Sequence, residues 1–138
     1  MCSKLLAAIA ISFVQVATVL AAASAVPATG ADWSQVRVVT VIASEYQFSP
    51  AKLTFRRGVS YRLHLENHGK ETHEFTAPKF FKAIELSDSA VLNADKTEIV
   101  IHPSEAKDLT FVPKEAGHFG LRCSDHDWAG MTGTITVK

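Results

Sequence analysis

Nine residues near the C-terminus, Cys123-Ser124-Asp125-His126-Asp127-Trp128-Ala129-Gly130-Met131, bring together a thiol, an imidazole and a thioether. The chain has two cysteines and two methionines, and the other members of each pair, Cys2 and Met1, stand at its start. Thiolate and thioether sulfur are soft donors that suit Cu(I), while imidazole suits both oxidation states of copper. His73, in Glu71-Thr72-His73-Glu74-Phe75, is the candidate for a second imidazole. Two imidazoles, one thiolate and a weak axial methionine form the trigonal site used by blue-copper electron-transfer centres. Three other readings compete. Zinc would find only three good donors here, because methionine is not among its usual ligands. A Cys-His pair can also serve as an activated nucleophile. The plainest reading is a core cysteine with unrelated loop histidines.

Whether these residues meet depends on the elements that carry them. From Val36 onward the apolar period is two. Val36, Val38, Thr40 and Ile42 form one β-branched or apolar parity. Leu53 and Phe55, then Tyr61, Leu63 and Leu65, then Leu109 and Phe111, then Ile135 and Val137, alternate with polar or charged residues. Strands of this kind have one buried and one wet face. Proline, glycine and asparagine punctuate them at Pro50, Gly58, Asn67-His68-Gly69, Pro78, Pro103, Pro113 and Gly117. The fold class is therefore all-β, a β-sandwich or barrel with Greek-key connections, with a short helix or long loop near residues 80–93 where no clean period holds. Phe48, Phe55, Tyr61 and Phe111 are core candidates. In Gly117–Cys123, parity puts Phe119, Leu121 and Cys123 on one face, and in Thr72–Phe75 it puts His73 and Phe75 opposite Glu74. Cys123 then ends a strand facing the core, His73 begins one, and Ser124–Gly130 is a loop. Cys123, His126, Met131 and His73 are expected to meet at one end of the sandwich. A thiol buried this way counts against the nucleophile, since reactive thiolates are usually part-exposed.

The N-terminal stretch reads as a secretory signal peptide over residues 1–25. Lys4 precedes an apolar run from Leu5 to Ala23, and Ala23-Ser24-Ala25 has the small-x-small pattern of a cleavage site. The run is almost long enough to serve as an uncleaved anchor, but Ser12, Gln15 and Thr18 interrupt it. Residues 26–34, with Pro27 and Gly30, read as a linker, and residues 35–138 as one domain. Without Lys4 the chain has 13 Lys and Arg against 14 Asp and Glu, a net charge of about −1. Nucleic-acid binding, which needs a basic face, is excluded as an expectation. Cleavage also removes Cys2, so Cys123 has no intramolecular disulfide partner. A lone thiol in an oxidising compartment needs another role.

The chain resembles a cupredoxin of the plastocyanin and pseudoazurin type, whose ligand loop is also Cys-x2-His-x4-Met. The likeness extends to Glu45–Gly58 (the second-strand region), Asn67–Phe75 (the first-ligand region) and Glu115–His126, the strand entering the loop. It implies a Greek-key β-sandwich and one copper ion, cycling between Cu(I) and Cu(II), held by His73, Cys123, His126 and Met131. It further implies an exported type 1 (blue) copper protein, periplasmic or secreted, that carries single electrons and is not an enzyme. Such a carrier meets a redox protein in the same compartment, touches membranes only through that partner, and is a monomer. A copper-dependent Fe(II) oxidation component of an iron-uptake system is the alternative, and a copper chaperone or store is a third class. Many relatives have asparagine after the first ligand histidine, bonded across to the cysteine loop, and here Glu74 stands there. Asp125 replaces a common proline, and Trp128 is bulky for the loop. Glu71, Glu74, Asp125 and Asp127 are candidates for an acidic rim, with an ordinary solvated polar face as the favoured reading. His64, His68, His102 and His118 join no convincing ligand set.

Overall fold

Hydrophobic alternation organises the described residues into ten strands, one short α-helix and one 3-10 turn. The computed structural model describes residues 30–138, so the expected signal peptide and the first four residues of the expected linker lie outside it. The strands are β1 (Arg37–Ser44), β2 (Gln47–Ser49), β3 (Lys52–Phe55), β4 (Tyr61–Asn67), β5 (His73–Thr76), β6 (Ile84–Leu86), β7 (Glu98–Ile101), β8 (Ala106–Pro113), β9 (Gly117–Arg122) and β10 (Thr132–Val137). One sheet runs β2-β1-β4-β8-β6 and the other β3-β10-β9-β5-β7. The β1–β4 and β3–β10 pairs are parallel and the rest antiparallel. This is the expected β-sandwich. Each sheet turns one face inward, so the core is made by the inner parities of β3, β4, β8 and β10.

Register explains the packing. Tyr61 pairs with Phe111 and Leu63 with Leu109 across β4 and β8, so all four point to the same face and all four are buried. Phe55 from the opposite sheet meets Tyr61 at 4.9 Å and Phe111 at 5.1 Å between ring centroids, both edge-on. Such pairs add roughly 0.5–1.5 kcal/mol beyond their burial. The segment near 80–93 holds both a helix and a strand. The helix α1 (Pro78–Lys82) begins at a proline, whose missing N–H costs nothing in a first turn. It delivers Phe80 against Phe111, 5.4 Å away, and buries Phe81 as well. The strand that follows it, β6, is only three residues long.

One parity is corrected. In β1 the buried residues are Val41 and Ala43, with Val39 partly buried, whereas Val36 and Val38 are exposed. Both parities of this strand are β-branched, so alternation alone does not choose between them. Pairing with β4 decides it, because Val39 lies beside Leu63 and Val41 beside Leu65. The consequence is measurable by chemical denaturation. Phe55→Ala should cost about 3–5 kcal/mol, and Val38→Ala, at a site 53% exposed, should stay within about 0.5 kcal/mol.

Candidate metal centre

The two strands that flank Cys123 and Met131 are neighbours, and the loop between them closes as an extension of their ladder. Arg122 pairs with Thr132 across β9 and β10. The next residues inward continue the pairing, with Cys123 N–H donating to the Met131 carbonyl at 2.9 Å. Inside that closure the chain turns tightly. His126 N–H reaches the Cys123 carbonyl at 3.3 Å, and a 3-10 turn over Asp127–Ala129 follows. Gly130 ends this turn at φ +85°, a left-handed conformation that glycine adopts without a Cβ penalty. Outside the turn, Arg122 pairs with Asp127 at 3.1 Å, and the Trp128 indole N–H donates to the Asp125 carbonyl at 2.9 Å.

His73 is placed by the turn before β5. Asn67 is buried, and its side-chain N–H groups donate to the carbonyls of Glu71 and Ile101 at 2.7 and 2.8 Å. Its side-chain oxygen accepts the Gly69 N–H at 2.8 Å. Glu45 reaches over from the β1–β2 turn, where its Oε1 accepts the N–H groups of Lys70 and Glu71. Those bonds hold the Glu45 carboxyl below the usual carboxylate range. A Cβ on Gly69 would collide with that carboxylate, so the close approach requires glycine.

The result is a tight donor set. Cys123 Sγ lies 3.4 Å from His126 Nδ1 and 3.9 Å from His73 Nδ1, and the three ligand atoms all lie within 4.8 Å of one another. With metal–sulfur and metal–nitrogen bonds of roughly 2.3 and 2.0–2.1 Å, sulfur and nitrogen on one ion sit about 3.5–3.8 Å apart. The residues therefore fit a single metal ion. His73, Cys123 and Met131 are fully buried, while the His126 side chain keeps 13% exposure. Sequence and structure thus agree on which residues gather, and Met131 joins them through the backbone closure just described. His64, His68, His102 and His118 lie elsewhere, paired with Glu66 and Asp108, Glu66, Thr72 and Thr136 respectively.

Glu74 departs from expectation. It is buried and does not belong to an acidic rim. Cys123 Sγ–H donates to Glu74 Oε2 at 3.0 Å, the Asp125 N–H reaches the same oxygen at 3.3 Å, and the Glu74 N–H points at Sγ from 3.4 Å. Cys123 directly follows Arg122, whose pairing with Thr76 joins β9 to β5. A brace between the first-ligand strand and the cysteine loop is therefore present, with a carboxylate in place of the amide of many relatives. A second brace joins Ser124 and Thr76 through Glu98 Oε2, at 3.0 and 3.1 Å.

Two residues near the centre had no signal in the sequence. Tyr46 packs its ring 4.9 Å from that of His126 and 6.0 Å from that of Trp128, which is 76% exposed. Glu45 Oε1 lies 3.5 Å from His73 Nε2, an ion-pair distance, yet that nitrogen makes no hydrogen bond. The absence of a bond is the more informative fact, because Oε1 is already engaged by two backbone donors. Both residues sit at a turn more than 20 positions from the nearest ligand, and only the tertiary fold brings them in.

Comparison with known proteins follows this geometry. A family profile described as a cupredoxin-like domain matches residues 10–137, and the chain belongs to that family. Among solved structures, auracyanin B is similar at 20% identity and a TM-score of 0.54, covering 74% of this chain and 88% of that one. Auracyanin A, described as a "blue" copper protein from Chloroflexus aurantiacus, is similar at 18% identity and a TM-score of 0.55, covering 75% and 100%. A reduced auracyanin from Roseiflexus castenholzii matches at 15% identity and a TM-score of 0.55, covering 73% and 96%. At these identities the structures share the fold. A search of curated protein sequences finds no match.

Burial, followed by the hydrogen bond to Glu74, pushes the Cys123 thiol from its ordinary value near 9 up to about 11 in the metal-free protein. A raised thiol pKa favours the neutral form in the folded state. This contribution to stability is complete below the unfolded pKa and is lost as pH rises from about 9 to about 11. Iodoacetamide should accordingly leave the folded metal-free protein unmodified at neutral pH and alkylate Cys123 readily only in that alkaline range. Mass spectrometry across pH checks this.

Proposed function

We propose that this chain is an exported copper protein that passes single electrons between redox partners. The observation that carries the reading is the convergence of His73 Nδ1 and His126 Nδ1 on one buried thiol sulfur. His73, Cys123, His126 and Met131 would hold the ion, and copper so held supplies one-electron chemistry between Cu(I) and Cu(II). The buried thioether of Met131 favours copper over zinc. The description of auracyanin A as a blue copper protein supports the same choice.

The chain's own residues suit a carrier. Burial of His73 and Cys123 shields the donors from water, and the partly exposed His126 lies at the surface beside Tyr46 and Trp128. An exposed aromatic flank of this kind suits contact with a protein partner, because Tyr and Trp supply large contact area. The proposal therefore includes a redox protein as partner, no catalytic residue and a monomer. A periplasmic or secreted location rests on the signal-like N-terminus, and no helix among the described residues is long and apolar enough to cross a membrane. The iron-oxidising alternative needs free carboxylates at this end. Glu74 is buried and Asp127 is paired with Arg122, which leaves that reading with less support. Release of metal by a chaperone would require opening a buried thiolate ligand.

Protein loaded with Cu(II) should bind one equivalent and show an intense visible thiolate-to-copper charge-transfer band. Cys123→Ser should abolish the band, and Met131→Leu should keep it while shifting the midpoint potential. An unchanged spectrum in Cys123→Ser would overturn the site. Trp128→Ala should leave the colour intact and slow electron exchange with a protein partner in stopped-flow mixing. Saturable bleaching of the Cu(II) protein by Fe(II) alone, lost when Glu71 and Asp125 are neutralised, would instead favour the oxidase.

A further inference from the structure

We propose that Glu71 is a positioning residue for the metal centre, fixing the proton of His126 on Nε2 so that Nδ1 presents its lone pair beside Cys123. The inference rests on reading the centre as a copper site, and it concerns a residue outside the ligand set. Glu71 Oε2 lies 2.8 Å from His126 Nε2. A carboxylate oxygen only accepts, so a ring nitrogen this close must carry hydrogen, because two facing lone pairs would repel. The other nitrogen, Nδ1, is then the free donor, and it is the one that lies 3.4 Å from Cys123 Sγ.

An exposed glutamate beside a histidine is often a surface pair of little consequence, and Glu71 is 48% exposed. Here three further hydrogen bonds hold the residue in place. Its N–H donates to Glu45 Oε1 at 2.9 Å and its carbonyl accepts from Asn67 at 2.7 Å. Its second carboxylate oxygen accepts the Tyr46 hydroxyl at 3.2 Å. Tyr46 in turn stacks a tilted ring on His126, 4.9 Å between centroids. The imidazole is thus bounded by sulfur at one nitrogen, carboxylate at the other and an aromatic ring on its face. Partners on the distal nitrogen of a ligating histidine generally set its tautomer and raise its basicity, and their loss costs about 10–100-fold in metal affinity.

The test compares wild type, Glu71→Gln and Glu71→Ala as full chains. Long-range nitrogen–proton NMR of the neutral rings, at about pH 8 and so above the ordinary histidine pKa, reads the tautomer in metal-free protein. Wild type should show His126 protonated at Nε2. Glu71→Gln keeps an acceptor oxygen and should retain that tautomer, whereas Glu71→Ala should give a mixture. Cu(I) affinity measured by competition with a chelator should fall about 10–100-fold in Glu71→Ala and less in Glu71→Gln. Both variants lose a negative charge near the ion and should raise the midpoint potential. Glu71→Ala with an unchanged His126 tautomer and unchanged Cu(I) affinity would refute the role. If Glu71→Ala failed to fold, Glu71→Leu, which removes the acceptor but keeps the bulk, would refute it equally by showing the wild-type His126 tautomer and Cu(I) affinity. Absence of a charge-transfer band in wild type would defeat the copper reading alone, since the metal-free tautomers still judge Glu71.

Discussion

The hydrogen bond from the Cys123 N–H to the Met131 carbonyl is the constraint on which the centre depends. It adds one rung to the β9–β10 ladder at the point where the strands would otherwise separate. That rung fixes the ends of the ligand loop, so the thiol and the thioether cannot drift apart while the sandwich stays folded. The turn between them has little freedom left, with backbone bonds from His126, Ala129, Gly130 and Met131 all closing within the loop. The core matters to the site because it holds β10 against β3 and β9, and those strands hold the rung. Cys123 and Met131 also belong to the same buried apolar cluster as Phe55, Phe80 and Phe111, so core packing and the strand ladder together hold the two sulfurs in place.

Electrostatics complement this geometry. A buried carboxylate next to a buried thiol is unfavourable if both are ionised, since each needs a counter-charge in a poorly solvated setting. Without metal, the Cys123 proton lies between Sγ and Glu74. A cation at the donor set can take that proton's place and compensate both groups. Glu71 and Glu45 add further negative charge near the two histidines. The site is therefore organised around a positive charge, and carboxylates near it favour the more highly charged oxidation state of any ion bound there.

Much of this was legible in the chain because it is local. The spacing of Cys123, His126 and Met131 needs only one hairpin loop, and the alternation in β3, β4, β8 and β10 names their buried residues directly. The parity of β1 was not legible, since Val38 and Val39 are equally suited to a strand and only β4 distinguishes them. Strands β2 and β6 have three residues each, too few for a period to declare itself, and β7 is apolar at three successive positions, so alternation does not mark it. Burial of Glu74 escaped because alternation assigns it to a wet face, while the ligand loop folds over that face and places Asp125 on its carboxylate. Glu45 and Tyr46 escaped for a different reason, as nothing near a turn between β1 and β2 says what it will lie against.

The fit of Glu45 against Gly69 has an evolutionary consequence. A side chain at position 69 and a carboxylate at position 45 compete for one volume, and the bonds to Lys70 and Glu71 depend on which occupies it. A larger residue at 69 displaces the Glu45 carboxylate from those bonds, whereas a shorter residue at 45 leaves Gly69 unhindered. Among homologous chains a residue larger than glycine at 69 should therefore be accompanied by a shorter one at 45. That covariation would link segments 24 residues apart that share no strand, and it would mark the histidine end of the sandwich in alignments where the histidines themselves do not vary.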